Sequence, residues 1–232
     1  MITILPAQQR GTTQLPWLDS RHTFSFGEYY NPQQMGFRSL RVINEDWVKP
    51  SFGFPLHKHH DMEIISCVLA GAMAHKDSLG NGSTIHAGEI QRMSAGTGIQ
   101  HSEWNESATK PLHFLQIWLL PAHENTSPSY EQRFFELTAM ENKLCLIGSR
   151  DARENSILIQ QDVALYRAKM NAGHIINYTF ARDRYGWMQV IQGKICLCGN
   201  KLNAGDGAAL SHETTITLQA IEDADILLFD LA

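Results

Sequence analysis

Two short pairs of metal-binding residue types, His57-Lys58-His59 and His101-Ser102-Glu103, bracket a stretch of alternating runs cut by Gly71, Gly80-Asn81-Gly82, Gly88 and Gly96-Thr97-Gly98. In a β-strand residues i and i+2 project from the same face, so His57 projects with His59, and His101 with Glu103. Facing each other across a small barrel, the two pairs offer three imidazoles and one carboxylate. Four ionisable groups converging in a barrel are expensive to bury unless a metal or a hydrogen-bond network satisfies them. The set suits one divalent transition metal with positions left open for a further ligand.

The runs around these pairs predict an all-β chain. Between residues 53 and 120, short strands are expected at Glu63 to Leu69, Ala72 to Lys76, Ser83 to His86, Ile90 to Ser94, Gln100 to Asn105 and Leu112 to Leu120. Strands this short, joined by Gly-rich turns, point to a jelly-roll barrel. The polar, turn-rich segment Pro121 to Pro128 marks the expected boundary, giving domains 1–125 and 126–232. Tyr130 to Met140 is expected as one helix or an irregular crossing. The second half repeats the strand pattern more faintly, as duplication of one barrel predicts. It has no His-x-His or His-x-Glu, so it is expected to pack without binding metal.

A formal charge of −5 argues against a chain whose main work is holding phosphate backbones, so nucleic acid is not an expected partner. Nowhere do eighteen apolar residues stand together, and the N-terminal residues do not read as a secretory signal; a cytoplasmic protein without membrane attachment is expected. The four cysteines, Cys67, Cys145, Cys196 and Cys198, show no secreted disulfide spacing.

These motifs resemble the cupin superfamily. Gly53, His57, His59, Glu63 and Gly71 match its first motif; Gly88, the Ala95-Gly96-Thr97-Gly98 turn, His101 and Asn105 match its second. Within cupins, HTFSFGEYY, FGFPLHKHHDMEI, SAGTGIQHSEWN and SPSYEQRFF resemble the pirin family, most closely from about residue 15 to 135. The resemblance implies two cupin barrels in one chain, the N-terminal one holding metal through His57, His59, His101 and Glu103. Other cupins use the carboxylate after the His pair, here Glu63; the pirin-specific match favours Glu103. It also implies an activity of some bacterial members, the oxygen-dependent opening of flavonols such as quercetin with release of carbon monoxide. Glu103 is then the catalytic base as well as a ligand. The partners are a small aromatic substrate and O₂, and Fe(II) is favoured, with Ni, Cu, Mn, Co and Zn fitting the same residues. Eukaryotic pirins imply an alternative, a metal- or redox-dependent regulator that binds a protein partner without turnover. A third reading is an enzyme acting on another enolisable metabolite.

Around the site, Phe37, Trp47, Phe52, Phe54, Ile65, Met93 and Trp104 are the apolar candidates for a pocket that takes a flat ligand. Asp61 or Glu63 is expected to accept an imidazole N–H from behind. His22 is expected to be a satisfied packing residue. His60 alternates with His59 and is expected to face away from the ligands; His75, His86 and His113 are not expected as ligands, and His123 is expected in solvent.

Overall fold

The computed structural model describes residues 1–232, and the chain is almost entirely antiparallel β-structure. It forms two compact units. One comprises Gly11–Phe135 with Ile157–Gln161; the other comprises Met1–Arg10, Glu136–Ser156 and Asp162–Ala232. No helix is long and apolar enough to cross a membrane.

In the first unit one sheet runs in the order Ser129–Phe134, Glu89–Ser94, Glu63–Ala70, Leu112–Leu119, Leu40–Val48, Leu18–His22, Gly11–Leu15. The second sheet is Gly53–His59, Ile99–Asn105, Ala72–Asp77, Gly82–His86. Every pairing is antiparallel, as hairpin and meander connections allow. Alternation along each strand sends one set of side chains inward. Val68, Met73, Ile85, Leu112 and Phe114 fill one part of the interior, and Ile64, Met93, Ala95 and Ile99 another. Between these apolar zones the inward positions are polar, and the histidine pairs lie there.

The segment Ser129–Phe134 pairs with Glu89–Ser94 in the first unit, with Tyr130 opposite Met93. The sequence reading put a boundary at 125/126 and allowed a helix over Tyr130 to Met140. A six-residue ladder forms instead, and helix is confined to Leu137–Met140. The first ten residues add an edge strand, Ile2–Leu5, to Gly207–Leu210 in the other unit.

In that unit Ile2–Leu5, Gly207–Leu210, Tyr185–Gln192, Ala224–Leu231, Val163–Met170 and Cys145–Ser149 lie side by side in this order. A smaller sheet holds Ile175–Thr179, Thr215–Ala220, Lys194–Leu197 and Asn200–Asn203. Its core includes Ala168, Met188, Val190, Ile216, Leu218, Ile226 and Leu228. Asp230 continues the face of Ile226 and Leu228, accepting hydrogen bonds from Tyr178 Oη and Arg184 Nε. Burial and this hydrogen bond push the Tyr178 phenol above its ordinary range. An Asp-Tyr-Arg network thus closes an apolar interior where that face ends.

Candidate metal centre

The first unit brings the two histidine pairs together through strand register. His57 and His101 are directly paired on Gly53–His59 and Ile99–Asn105, and His59 pairs with Ile99. A bulge between His101 and Glu103 shifts the ladder there. Gly53 makes the crossing possible: a Cβ at this position would stand 2.2 Å from the Glu103 carbonyl oxygen and 2.5 Å from Trp104 Cα.

The three imidazoles converge. Ring centroids are 4.4 Å apart for His57 and His101, 4.7 Å for His57 and His59, and 4.9 Å for His59 and His101. One nitrogen from each lies within 4.8 Å of those of the other two. The His57 Nδ1–H donates to the Pro55 carbonyl at 2.8 Å, which fixes the tautomer and leaves Nε2 with its lone pair. His101 is fully buried, and neither of its ring nitrogens has a hydrogen-bond partner in the protein. A buried imidazole without any partner is costly, and coordination removes that cost.

Burial and neighbouring charge keep two of the rings, His59 and His101, neutral. Burial, then the neighbouring His101 and His57, lower the His59 pKa to about 4. Burial, then His57 and His75, lower that of His101 to about 3. At neutral pH both rings therefore present lone pairs, the form that binds metal.

Glu103 is buried on the same inward face. Its Oε2 accepts a hydrogen bond from Gln116 Nε2 at 2.8 Å, and Oε1 lies 3.2 Å from Ser66 Oγ. Ser66 Oγ is also 2.9 Å from Gln116 Oε1, so its single proton serves the closer amide oxygen. Gln116 and Ser66 are cross-strand partners, and the pair forms a bracket behind the carboxylate.

Glu63, the other candidate carboxylate, stands on the opposite face of its strand from Ser66. Its Oε2 accepts the Gln160 backbone N–H at 3.0 Å, and burial raises its pKa. Asp61 accepts from the Asn125 N–H and pairs with His60. The expectation that Asp61 or Glu63 braces a ligand imidazole is therefore corrected: Asp61 pairs with His60 instead, and the brace for His57 is a backbone carbonyl, two residues earlier on its own strand.

His75, not expected as a ligand, is buried within the site. It pairs across the ladder with Glu103, while Asp77 pairs with His101. Its Nε2 donates to Asp77 Oδ2 at 3.1 Å, and one of its nitrogens lies within 4.8 Å of donor atoms of His101 and Glu103. The local signal is the i+2 pair His75-Lys76-Asp77; what the local sequence does not announce is the register that sets His75 opposite Glu103, on a strand more than twenty residues away. His60 is exposed, and His113 stacks on Trp47 and bonds Glu45.

A cavity of about 100 Å³ reaches His57, His59 and Glu103, with Phe26, Phe54 and Trp118 on its apolar side. Of the apolar candidates named from sequence, only Phe54 lines it. Trp104 is next to the inward Glu103, so alternation turns it outward to 41% exposure, and Phe52 is 48% exposed. The polar part of its wall is Thr13, Ser20, His22, Asn44, Asp46 and Gln116.

The chain matches known proteins along its length. The Pirin family pattern matches residues 5–119, and that of the quercetinase C-terminal cupin domain matches residues 146–231. The chain is 45% identical over 231 residues to a quercetin 2,3-dioxygenase of Escherichia coli K12, covering 100% of this chain and 99% of that protein. The chain belongs to the pirin family. This pirin is also 37% identical over 233 residues to a pirin-like protein of Caulobacter vibrioides, covering both completely. Among solved structures it matches the E. coli pirin YhhW in complex with nickel(II) at a TM-score of 0.96, with 44% identity and 100% and 99% of the two chains covered. It is thus a metal-binding type of pirin with two cupin domains, quercetin 2,3-dioxygenase-like along its whole length.

Proposed function

We propose that this pirin is a metal-dependent dioxygenase that opens the central ring of flavonols such as quercetin with O₂, releasing carbon monoxide and a depside. The observation that carries the reading is the buried, partnerless His101 beside His57 and His59, the latter two lining a cavity that also exposes a held carboxylate. His57, His59, His101 and Glu103 are assigned as the ligands, and Fe(II) is the favoured ion, with Ni, Cu, Mn, Co and Zn compatible. Bound there, the ion supplies a Lewis acid that lowers the pKa of a chelated hydroxyl and a meeting point for substrate and O₂.

The chain's own residues do the rest. Glu103 takes the proton of the flavonol 3-hydroxyl. Its Oε1 is the basic atom, because Oε2 is engaged by the Gln116 amide and the Ser66 proton is directed to Gln116 Oε1. Pro55 holds His57 in one tautomer. Phe26, Phe54 and Trp118 contact the flat faces of a ligand and keep bulk water from its reacting edge. A cavity that reaches the site from solvent favours turnover over a purely regulatory role, which needs no such opening.

The test is anaerobic metal analysis of the purified protein, then quercetin and O₂ with detection of carbon monoxide. The reading expects stoichiometric metal and carbon monoxide release, both lost in H57A/H59A. Bound metal without turnover for every metal tried would overturn it in favour of the regulator.

A further inference from the structure

The polar wall of the cavity contains a chain of hydrogen bonds that the metal site does not use. His22, 2% exposed, lies with Nδ1 2.8 Å from Asn44 Oδ1 and Nε2 2.8 Å from Thr13 Oγ1. Phe26 and Tyr29 flank its ring, with centroids at 5.4 and 6.3 Å. The three residues come from neighbouring strands, Gly11–Leu15, Leu18–His22 and Leu40–Val48, whose register sets His22 opposite both Gly11 and Asn44. All three line the cavity that reaches His57, His59 and Glu103.

The chain has a direction. Asn44 Oδ1 is an acceptor only, so His22 Nδ1 carries the proton and donates it; His22 Nε2 is then an acceptor and takes the Thr13 hydroxyl proton. Thr13 Oγ1 has spent its single donor and offers the cavity only lone pairs. A lone-pair-only oxygen on a half-buried wall accepts from a hydroxyl and rejects a carbonyl or an ether. Chains of this kind also polarise their members, which makes the terminal oxygen a better acceptor. The cavity's size adds a second constraint. About 100 Å³ is less than the roughly 150 Å³ that encloses a benzene ring, so only one edge of a ligand enters, and Thr13 is among the polar groups lining the space it enters.

We propose that Thr13, held by His22 and Asn44, is the specificity-determining residue of the site: it selects ligands that carry a further hydroxyl donor beyond the 3-hydroxyl. The inference rests on the flavonol reading and names which members of that class the site prefers. Asn44 and His22 are positioning residues, since they reach the ligand only through Thr13.

The probes are quercetin, which has ring hydroxyls beyond the 3-hydroxyl, and 3-hydroxyflavone, which has none. Binding of each to the cobalt(II)-loaded protein is followed anaerobically by quenching of tryptophan fluorescence, Trp118 being in the cavity wall. Wild type is expected to bind quercetin about tenfold more tightly than 3-hydroxyflavone, the worth of one well-placed hydrogen bond. In T13V that ratio falls toward one, in T13S it is restored, and in N44L it falls as in T13V while Thr13 is intact. If both ligands bind and the ratio is the same in wild type and T13V, the role of Thr13 is overturned and the flavonol reading stands. If wild type binds neither flavonol, the flavonol reading fails and the assignment of Thr13 fails with it.

Discussion

Gln116 Nε2 donates to Glu103 Oε2 at 2.8 Å, and the oxygen of the same amide faces Ser66 Oγ at 2.9 Å. One side chain thus occupies one oxygen of the carboxylate and diverts the nearest hydroxyl from the other. Removing the amide leaves a buried carboxylate short of a charge-assisted hydrogen bond, worth about 1.5–3 kcal/mol. Q116L is expected to lower kcat by about ten- to a hundredfold with metal content unchanged. Steady-state rates alongside metal analysis check this, and a rate equal to wild type removes Gln116 from the proton-transfer step.

E103Q separates holding the metal from moving the proton. The three imidazoles remain, so metal is retained, while the general base is lost, an effect of about 10²–10⁴ in rate. The expected outcome is a metal-loaded protein with at least a hundredfold lower kcat. Turnover at the wild-type rate would show that another group takes the proton.

Acid should destabilise the metal-free protein through the buried imidazoles. His59 and His101 have folded pKa values of about 4 and about 3, below the ordinary 6.5. Between those values and 6.5 the unfolded chain binds protons that the folded one refuses, so unfolding free energy rises with pH there. The contribution is complete above pH 6.5 and is lost as pH falls toward 4 and then 3. Thermal melts of chelator-treated protein should show this slope, and H101Q should show a shallower one. Equal slopes for the two proteins would mean that His101 is not the group responsible.

The barrel fold and both histidine pairs could be read from local sequence, because each rests on spacing of two within a single strand. What escaped lay between strands. Ser66 and Gln116 look like ordinary polar residues in apolar runs, and only their cross-strand pairing sets them behind Glu103. His75 belongs to the site through its pairing with Glu103. Trp104 was misplaced although the information was at hand: with Glu103 inward, its neighbour must face out. Glu63 fails for the same kind of reason, since the strand that turns Ser66 toward the site turns Glu63 away. The boundary segment was obscured because turn-rich composition marks a loop without saying whether the next strand returns to the same barrel.

The close crossing at Gly53 gives the most local test of the architecture. A methyl group there meets backbone atoms, the Glu103 carbonyl oxygen at 2.2 Å and Trp104 Cα at 2.5 Å, and neither can rotate away. The strand carrying His57 and His59 must therefore separate from the strand carrying His101 and Glu103. G53A is expected to destabilise the protein by about 3 kcal/mol, in the range of overpacking substitutions, and to weaken metal binding with it. Gly82, whose added Cβ has nothing within 4 Å, serves as the control, and G82A should stay within about 0.5 kcal/mol of wild type. Denaturant titrations of both variants at unchanged slope give the comparison. If G53A and G82A are equally stable, the two ligand-bearing strands do not approach as closely as the ligand geometry requires, and the assignment of Glu103 to the same metal as His57 falls with it.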